Sequence, residues 1–238
     1  MNLAIFDLDG TLTQTNEVDA LCYVRAVDEE FGIDATGMDW ADYTFVTDIG
    51  ITNQMFQERL GRSPSEDEVV RLQARLIRLL EEVHGGSPEA FSEVAGAAAA
   101  LQWLHRQPDW KVAIATGCWQ CSARLKLRAA RIDADAIPAA FCEDGHSREE
   151  VVQAALTRAA AAHGVETFER VVSVGDGIWD VTTAIRLKLP FVGVRIDGHE
   201  GALRRRGVTH VMRDYTDTEV LLRSLREAQV PRAEARSE

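Results

Sequence analysis

The sequence predicts an α/β fold, with a parallel sheet covered on both faces by helices and interrupted by an all-helical insert. Three observations predict it. A short apolar run opens the chain and stops at acidic and glycine residues. Residues 15–87 then show helical periodicity and no strand pattern. Beyond Pro88, apolar strand-like runs alternate with amphipathic stretches, the mark of repeated strand–helix–strand units.

Taken in order, Leu3-Ala4-Ile5-Phe6 reads as a buried strand ending at a functional loop. Val18, Leu21, Cys22, Val24, Val27 and Phe31 recur at helical spacing over 17–31. A further helix is expected after Ser63-Pro64-Ser65-Glu66, with Ser63 and Glu66 as a capping box and Pro64 at the first helical position. Its stripe is Val69, Leu72, Leu76, Leu79, Leu80 and Val83, and His84–Pro88 is expected to break it as a hinge. An alanine-rich helix at about 90–106 precedes the strand 111–116, a helix over 120–131 and a short strand near 137–141. Ser147 and Glu150 form a second capping box opening a helix to about His163. Strand 170–174, helix 178–187 and strand 190–194 complete the alternation, and the polar tail from about Gln229 is expected to fray. The result is a Rossmann-like core of residues 1–14 and 88–238, with residues 15–87 inserted as a helical domain.

The 238 residues, nearly half apolar, supply ample core. A net charge of −12 argues against a nucleic-acid partner, which needs a phosphate-neutralising surface. No apolar run is long enough for a membrane span, and no basic segment precedes Asp7 as in a secretory signal. Four irregularly spaced cysteines do not form a disulfide framework, so a cytoplasmic location is expected.

Chemistry concentrates at three strand ends. Asp7-Leu8-Asp9-Gly10-Thr11 follows the first strand, and Gly10 permits a curl that turns both carboxylates to one site. One carboxylate can then act as nucleophile while its neighbour shuttles a proton, although an acidic turn is the plain alternative. Gly175-Asp176-Gly177-Ile178-Trp179-Asp180 places two carboxylates about one helical turn apart, a hard-oxygen set suited to Mg²⁺; a cap plus a solvated aspartate is the alternative. Thr116-Gly117 offers a hydroxyl and free amides to phosphoryl oxygens. All three fall where open α/β sheets bind ligands.

Together these motifs resemble the haloacid dehalogenase superfamily, with a small helical cap inserted after the first motif. The match runs through Asp7-Leu8-Asp9-Gly10-Thr11, Thr116, and Gly175-Asp176 with Asp180. The resemblance implies that Asp7 attacks phosphorus to form an aspartyl-phosphate. It implies that Asp9 protonates the leaving oxygen and later deprotonates water, with its backbone carbonyl on the metal. Thr116 would bind the phosphoryl group, Asp176 would ligate Mg²⁺, and Asp180 would ligate or support it. The family's usual third-motif lysine has no counterpart. Lys126 lies mid-helix and Lys188 follows Asp180, so Arg148, in the first turn of the Ser147-capped helix, is the candidate.

The expected function is a Mg²⁺-dependent phosphatase for a small phosphorylated metabolite. A phosphomutase is the nearest rival, and a catalytically idle binding module the alternative of another class. A phosphonatase would need a Schiff-base lysine in the cap, and residues 15–87 contain none. Cys118 and Cys121 are read as thiols on the helix after the phosphate loop, Trp119 as packing and His146 as a surface loop residue. Arg204–Arg206 are read as a solvated turn. Thr47 is expected to cap a helix, with the alternative that residues 44–50 lean over the phosphate pocket.

Overall fold

A computed structural model describes residues 1–232. Its first strand, β1 (Asn2–Phe6), lies at the centre of the sheet because its side chains are apolar on both faces. Ala4 and Phe6 enter one core cluster, Leu3 and Ile5 another on the opposite face. Three helices follow: α1 (Asn16–Phe31), α2 (Asp48–Leu60) and α3 (Glu66–Gly86). They pack on one another around Tyr23, Ala26, Val27, Met55, Phe56, Leu76 and Leu80. The cluster also takes in Phe91, Trp119 and Leu125, which seats this insert on the sheet domain.

The remaining elements are α4 (Ala97–His105), β2 (Trp110–Ala115), α5 (Gln120–Ala129), β3 (Ala139–Ala140), α6 (Arg148–His163) and β4 (Arg170–Gly175). After them come α7 (Ile178–Leu187), β5 (Phe191–Val194), α8 (Gly201–Arg205), β6 (His210–Met212) and α9 (Thr218–Glu227). The sheet order is β3-β2-β1-β4-β5-β6, with every pairing parallel. The chain fills one side of β1 and then jumps to the other, so the crevice for a ligand opens above β1, β2 and β4. This is the expected α/β architecture with a helical insertion. No helix of the described residues is long and apolar enough to cross a membrane.

Several boundaries differ from the sequence expectation. The cap of α3 is Ser65, whose hydroxyl accepts the Glu68 N–H while the Glu68 carboxylate accepts the Ser65 N–H. Two overlapping Ser-x-x-Glu frames were available. Only the second leaves Pro64 outside the helix, and it adds an ion pair from Arg62 to Glu68. The helix also runs through Gly85 and Gly86 before ending at Ser87, so the expected break comes later. The alanine-rich helix starts at Ala97, because residues 88–91 form a separate 3₁₀ turn and Gly96 lies in the left-handed region. Three short elements, α8, β6 and α9, extend the fold past Val194. Residues 229–232 lie outside helix and strand, and the rest of the predicted tail lies outside the described residues.

Candidate active site

The site begins where β1 ends. The Asp7 N–H donates to the Val174 carbonyl at 2.9 Å, which prolongs the ladder by one residue and fixes Asp7 at the sheet's rim. The chain then turns tightly, with the amides of Thr11, Leu12 and Thr13 all donating to the Leu8 carbonyl. Gly10 occupies the left-handed region (φ +72°), and a Cβ there would sit 2.3 Å from Asp176 Oδ2. Only glycine lets the first loop pass this close to the fourth strand's aspartate. Thr11 and Thr116 are both buried at this level, and the Thr11 hydroxyl has no hydrogen-bond partner among the described residues.

Arg148 opens α6, where a positive charge opposes the helix dipole. The opposition is resolved by carboxylates. Its Nη2 lies 2.7 Å from Asp7 Oδ1 and 2.6 Å from Asp180 Oδ1, and Nη1 donates to the Val46 carbonyl at 3.3 Å. Gly117 makes room for this arm, since a Cβ there would meet the guanidinium at 2.8 Å. Asp180 Oδ2 accepts the Gly177 N–H at 3.0 Å, so both of its oxygens are engaged.

Asp176 differs. Oδ2 accepts from Asn16 at 2.9 Å, but Oδ1 is buried with no hydrogen-bond partner among the described residues. Burial first, and Asp180 second, push its carboxyl up to about 7. Burial likewise raises Asp7 well above the usual carboxylate range; Arg148 opposes this, and Asp180, Asp176 and Asp9 reinforce it. Oxygens of Asp7, Asp176 and Asp180 lie within 4.8 Å of one another. A hard divalent cation with oxygen ligands fits this set, because it would satisfy the orphan oxygen and offset the crowding.

The Asp9 side chain is not part of that group. Its Oδ2 accepts from Lys126 Nζ at 2.7 Å and from the Cys118 thiol at 2.9 Å, and Oδ1 accepts from Thr15. The Asp9 carboxylate is therefore committed to these donors and not available to the Asp7, Asp176 and Asp180 group. Lys126 is fully buried and also pairs with Asp19 at 2.7 Å. Burial alone would raise Asp9, but the charge of Lys126 and the hydrogen bonds from Cys118, Lys126 and Thr15 reverse this, leaving it below its ordinary value. The sequence reading missed this role for Lys126. Its signal was a lone lysine on the buried stripe of α5, flanked by Leu125 and Leu127. Cys118 also needs correction: it precedes α5 and faces Asp9, whereas Cys121 is exposed on the helix.

The insert reaches the same place. Thr47 caps α2 by accepting the Gly50 N–H, as expected, and its hydroxyl donates to the His146 carbonyl; Val46, Thr47 and Asp48 also line the cavity between insert and sheet. The Asp48 N–H donates to the Gly117 carbonyl at 2.7 Å, and the Trp119 N–H donates to Asp48 Oδ2 at 2.8 Å. Trp119 itself is buried against Tyr23, a packing role, and His146 is exposed. Between insert and sheet lies a cavity of about 430 Å³, lined by Asp7, Asp9, Asp48, Thr116, Arg148 and Asp176 among others. Arg204 and Arg205 close the short α8, where Arg204 bonds the carbonyls of Val208 and Thr209.

Comparison with known proteins places this geometry. Residues 1–188 match the model of the haloacid dehalogenase-like hydrolases. No curated protein matches the chain by sequence. Among solved structures, a hydrolase from Pseudomonas syringae superposes with a TM-score of 0.70 at 23% identity, over 94% of this chain and 99% of that one. A protein assigned as a beta-phosphoglucomutase from Bacteroides vulgatus gives 0.64 at 16%, over 95% and 91%. A family IA, variant 3 hydrolase from Entamoeba histolytica gives 0.64 at 15%, over 95% and 100%. At these identities the likeness is one of fold.

Proposed function

The chain belongs to the haloacid dehalogenase-like hydrolases, and from that premise we propose that it is a Mg²⁺-dependent phosphatase acting on a small phosphorylated metabolite through an aspartyl-phosphate. The carrying observation is Asp7: a buried carboxylate at the end of the central strand, held by Arg148 and facing the cavity between insert and sheet beside Asp176. Residues 15–87 act as a cap domain over a core of 1–14 and 88–238.

One oxygen of Asp7 is held by Arg148, and the other attacks phosphorus as the bond to the leaving oxygen breaks. Asp9 gives that oxygen its proton, then takes one from the water that cleaves the aspartyl-phosphate and releases inorganic phosphate. To serve as the acid, Asp9 has to turn from Lys126 and acquire a proton, because the observed pairing favours its charged form. Thr116, Gly117 and Arg148 hold the transferring group, with Gly10 and Thr11 lining its approach. Bound Mg²⁺ would neutralise charge on phosphate and carboxylates, held by Asp7, Asp176 and the Asp9 carbonyl with Asp180 in support.

The cavity favours hydrolysis over phosphoryl return. A mutase handling a bisphosphate needs a second anion seat, yet the basic residues lining the cavity are Arg148 and Arg195, and Arg195 is paired to Asp197 at 2.6 Å. The test is hydrolysis of p-nitrophenyl phosphate with and without Mg²⁺. Turnover is expected only with the metal and is expected to vanish in Asp7→Asn. Persistence of turnover in a folded Asp7→Asn protein would sink the mechanism.

A further inference from the structure

The cap side of the cavity has a composition that phosphate chemistry does not require. Beyond the phosphoryl end it is lined by Glu17, Asp19, Asp48, Tyr23 and Trp40, and by no basic side chain. Asp48 is 8% exposed, and among the described residues only one of its oxygens receives a hydrogen bond, from Trp119 N–H. The second oxygen of Asp19 is likewise without a donor among the described residues. Among the described residues the cation paired at this end, Lys126, is already shared between Asp9 and Asp19 and lies behind them rather than in the cavity. Three carboxyl groups thus share a single ammonium, before Glu17 at the rim is counted, and burial together with Asp19 holds the Asp48 carboxyl well above the usual carboxylate range, as befits a group short of a cation. A metal ion does not answer this excess, because Lys126 Nζ fills the space between Asp9, Asp19 and Cys118.

Two aromatic rings complete the corner. Tyr23 and Trp40 meet edge to face, with centroids 5.7 Å apart and planes at 87°. The Tyr23 hydroxyl is occupied by Thr52, so the ring contributes its body rather than a polar tip to the cavity. Aromatic faces beside unpaired carboxylates attract an ammonium group and repel a second anion.

We propose that the substrate is a phosphomonoester whose leaving group carries a cationic nitrogen, an aminoalkyl phosphate, with the nitrogen seated by Asp48 and Asp19 against Tyr23 and Trp40. This rests on the phosphatase reading and narrows its substrate class. It also explains why an acidic cap tolerates a dianionic substrate: the substrate brings the missing positive charge to the end that lacks it.

The test compares kcat/KM with Mg²⁺ for O-phosphoethanolamine and phosphocholine, their uncharged counterpart propyl phosphate, 2-phosphoglycolate and a sugar phosphate. p-Nitrophenyl phosphate serves as the generic reference. The cationic esters are expected to exceed propyl phosphate by at least about tenfold, and phosphoglycolate to fall below it. In Asp48→Asn and Trp40→Leu the cationic-to-neutral ratio is expected to collapse toward one. Because the ratio is taken within one preparation, loss of folded protein does not mimic that outcome. Equal or better turnover of the neutral, sugar or anionic esters overturns the inference while leaving the phosphatase reading intact. So does an unchanged ratio in both variants. If p-nitrophenyl phosphate is not hydrolysed either, the phosphatase reading fails and this inference with it.

Discussion

Removing divalent metal should make the protein less stable as pH rises, and adding Mg²⁺ should cancel that loss. Asp176 is the group to follow. Its carboxyl is raised from 3.8 to about 7 by burial and by Asp180, and its Oδ1 has no partner among the described residues. The folded state therefore holds this proton more tightly than the unfolded chain. Stability is highest at low pH in this respect, falls between about 4 and about 7, and is flat above. Each pH unit in that window is worth about 1.4 kcal/mol, so the whole span amounts to on the order of 4 kcal/mol. Going from about pH 5 to pH 8 forfeits on the order of 3 kcal/mol of it. A cation replacing the proton restores about as much when present at some hundredfold over its dissociation constant. Urea unfolding in chelator at both pH values, repeated with Mg²⁺, measures the effect, and Asp176→Asn isolates it. The reasoning fails if the chelated wild type is equally stable at both pH values. It also fails if Asp176→Asn keeps the wild-type slope.

Substitutions at three positions extend the argument. Lys126→Met leaves Asp9 and Asp19 buried without their cation, and denaturant unfolding should show a loss of about 3–5 kcal/mol; in surviving protein the alkaline limb that Asp9 sets as the acid should move upward in the pH–rate profile as Asp9 loses the charge that holds it low. Arg148→Lys should keep turnover within about tenfold, since one nitrogen already serves both Asp7 and Asp180, whereas Arg148→Met should lose about 3–5 kcal/mol of stability and nearly all activity. Gly10→Ala forces a left-handed alanine whose Cβ meets Asp176 Oδ2, and calorimetry should show at least about 1 kcal/mol of destabilisation with a weakened response to Mg²⁺.

The legible parts of the fold were those fixed by local rules. β1, β2 and β4 are apolar on both faces, so their runs stand out. The second capping box lies at Ser147 and Glu150, because one frame satisfies both donors there. At Ser63–Glu68 two frames compete, and tertiary and ion-pair geometry decides between them. β3, two residues long, falls inside the strand expected near 137–141, whereas β6 has three residues and α8 five, too few for a period to register. α9 is different, since Asp217 caps it and Leu221 and Leu225 mark its buried face, a signal present in the chain and not taken up.

The same contrast runs through the site and decides which residues escape a linear reading. Asp7, Asp9, Thr116 and Asp176 follow strand ends and Asp180 lies in the first turn of the helix after β4, where position along the chain already implies the ligand side of the sheet. Asn16, Asp19, Asp48 and Lys126 sit on helices, and there a polar residue among apolar neighbours ordinarily points to solvent. Lys126 does the reverse because the insert covers the exposed flank of α5 and supplies Asp19. Its ammonium therefore owes one partner to the core and one to the insert.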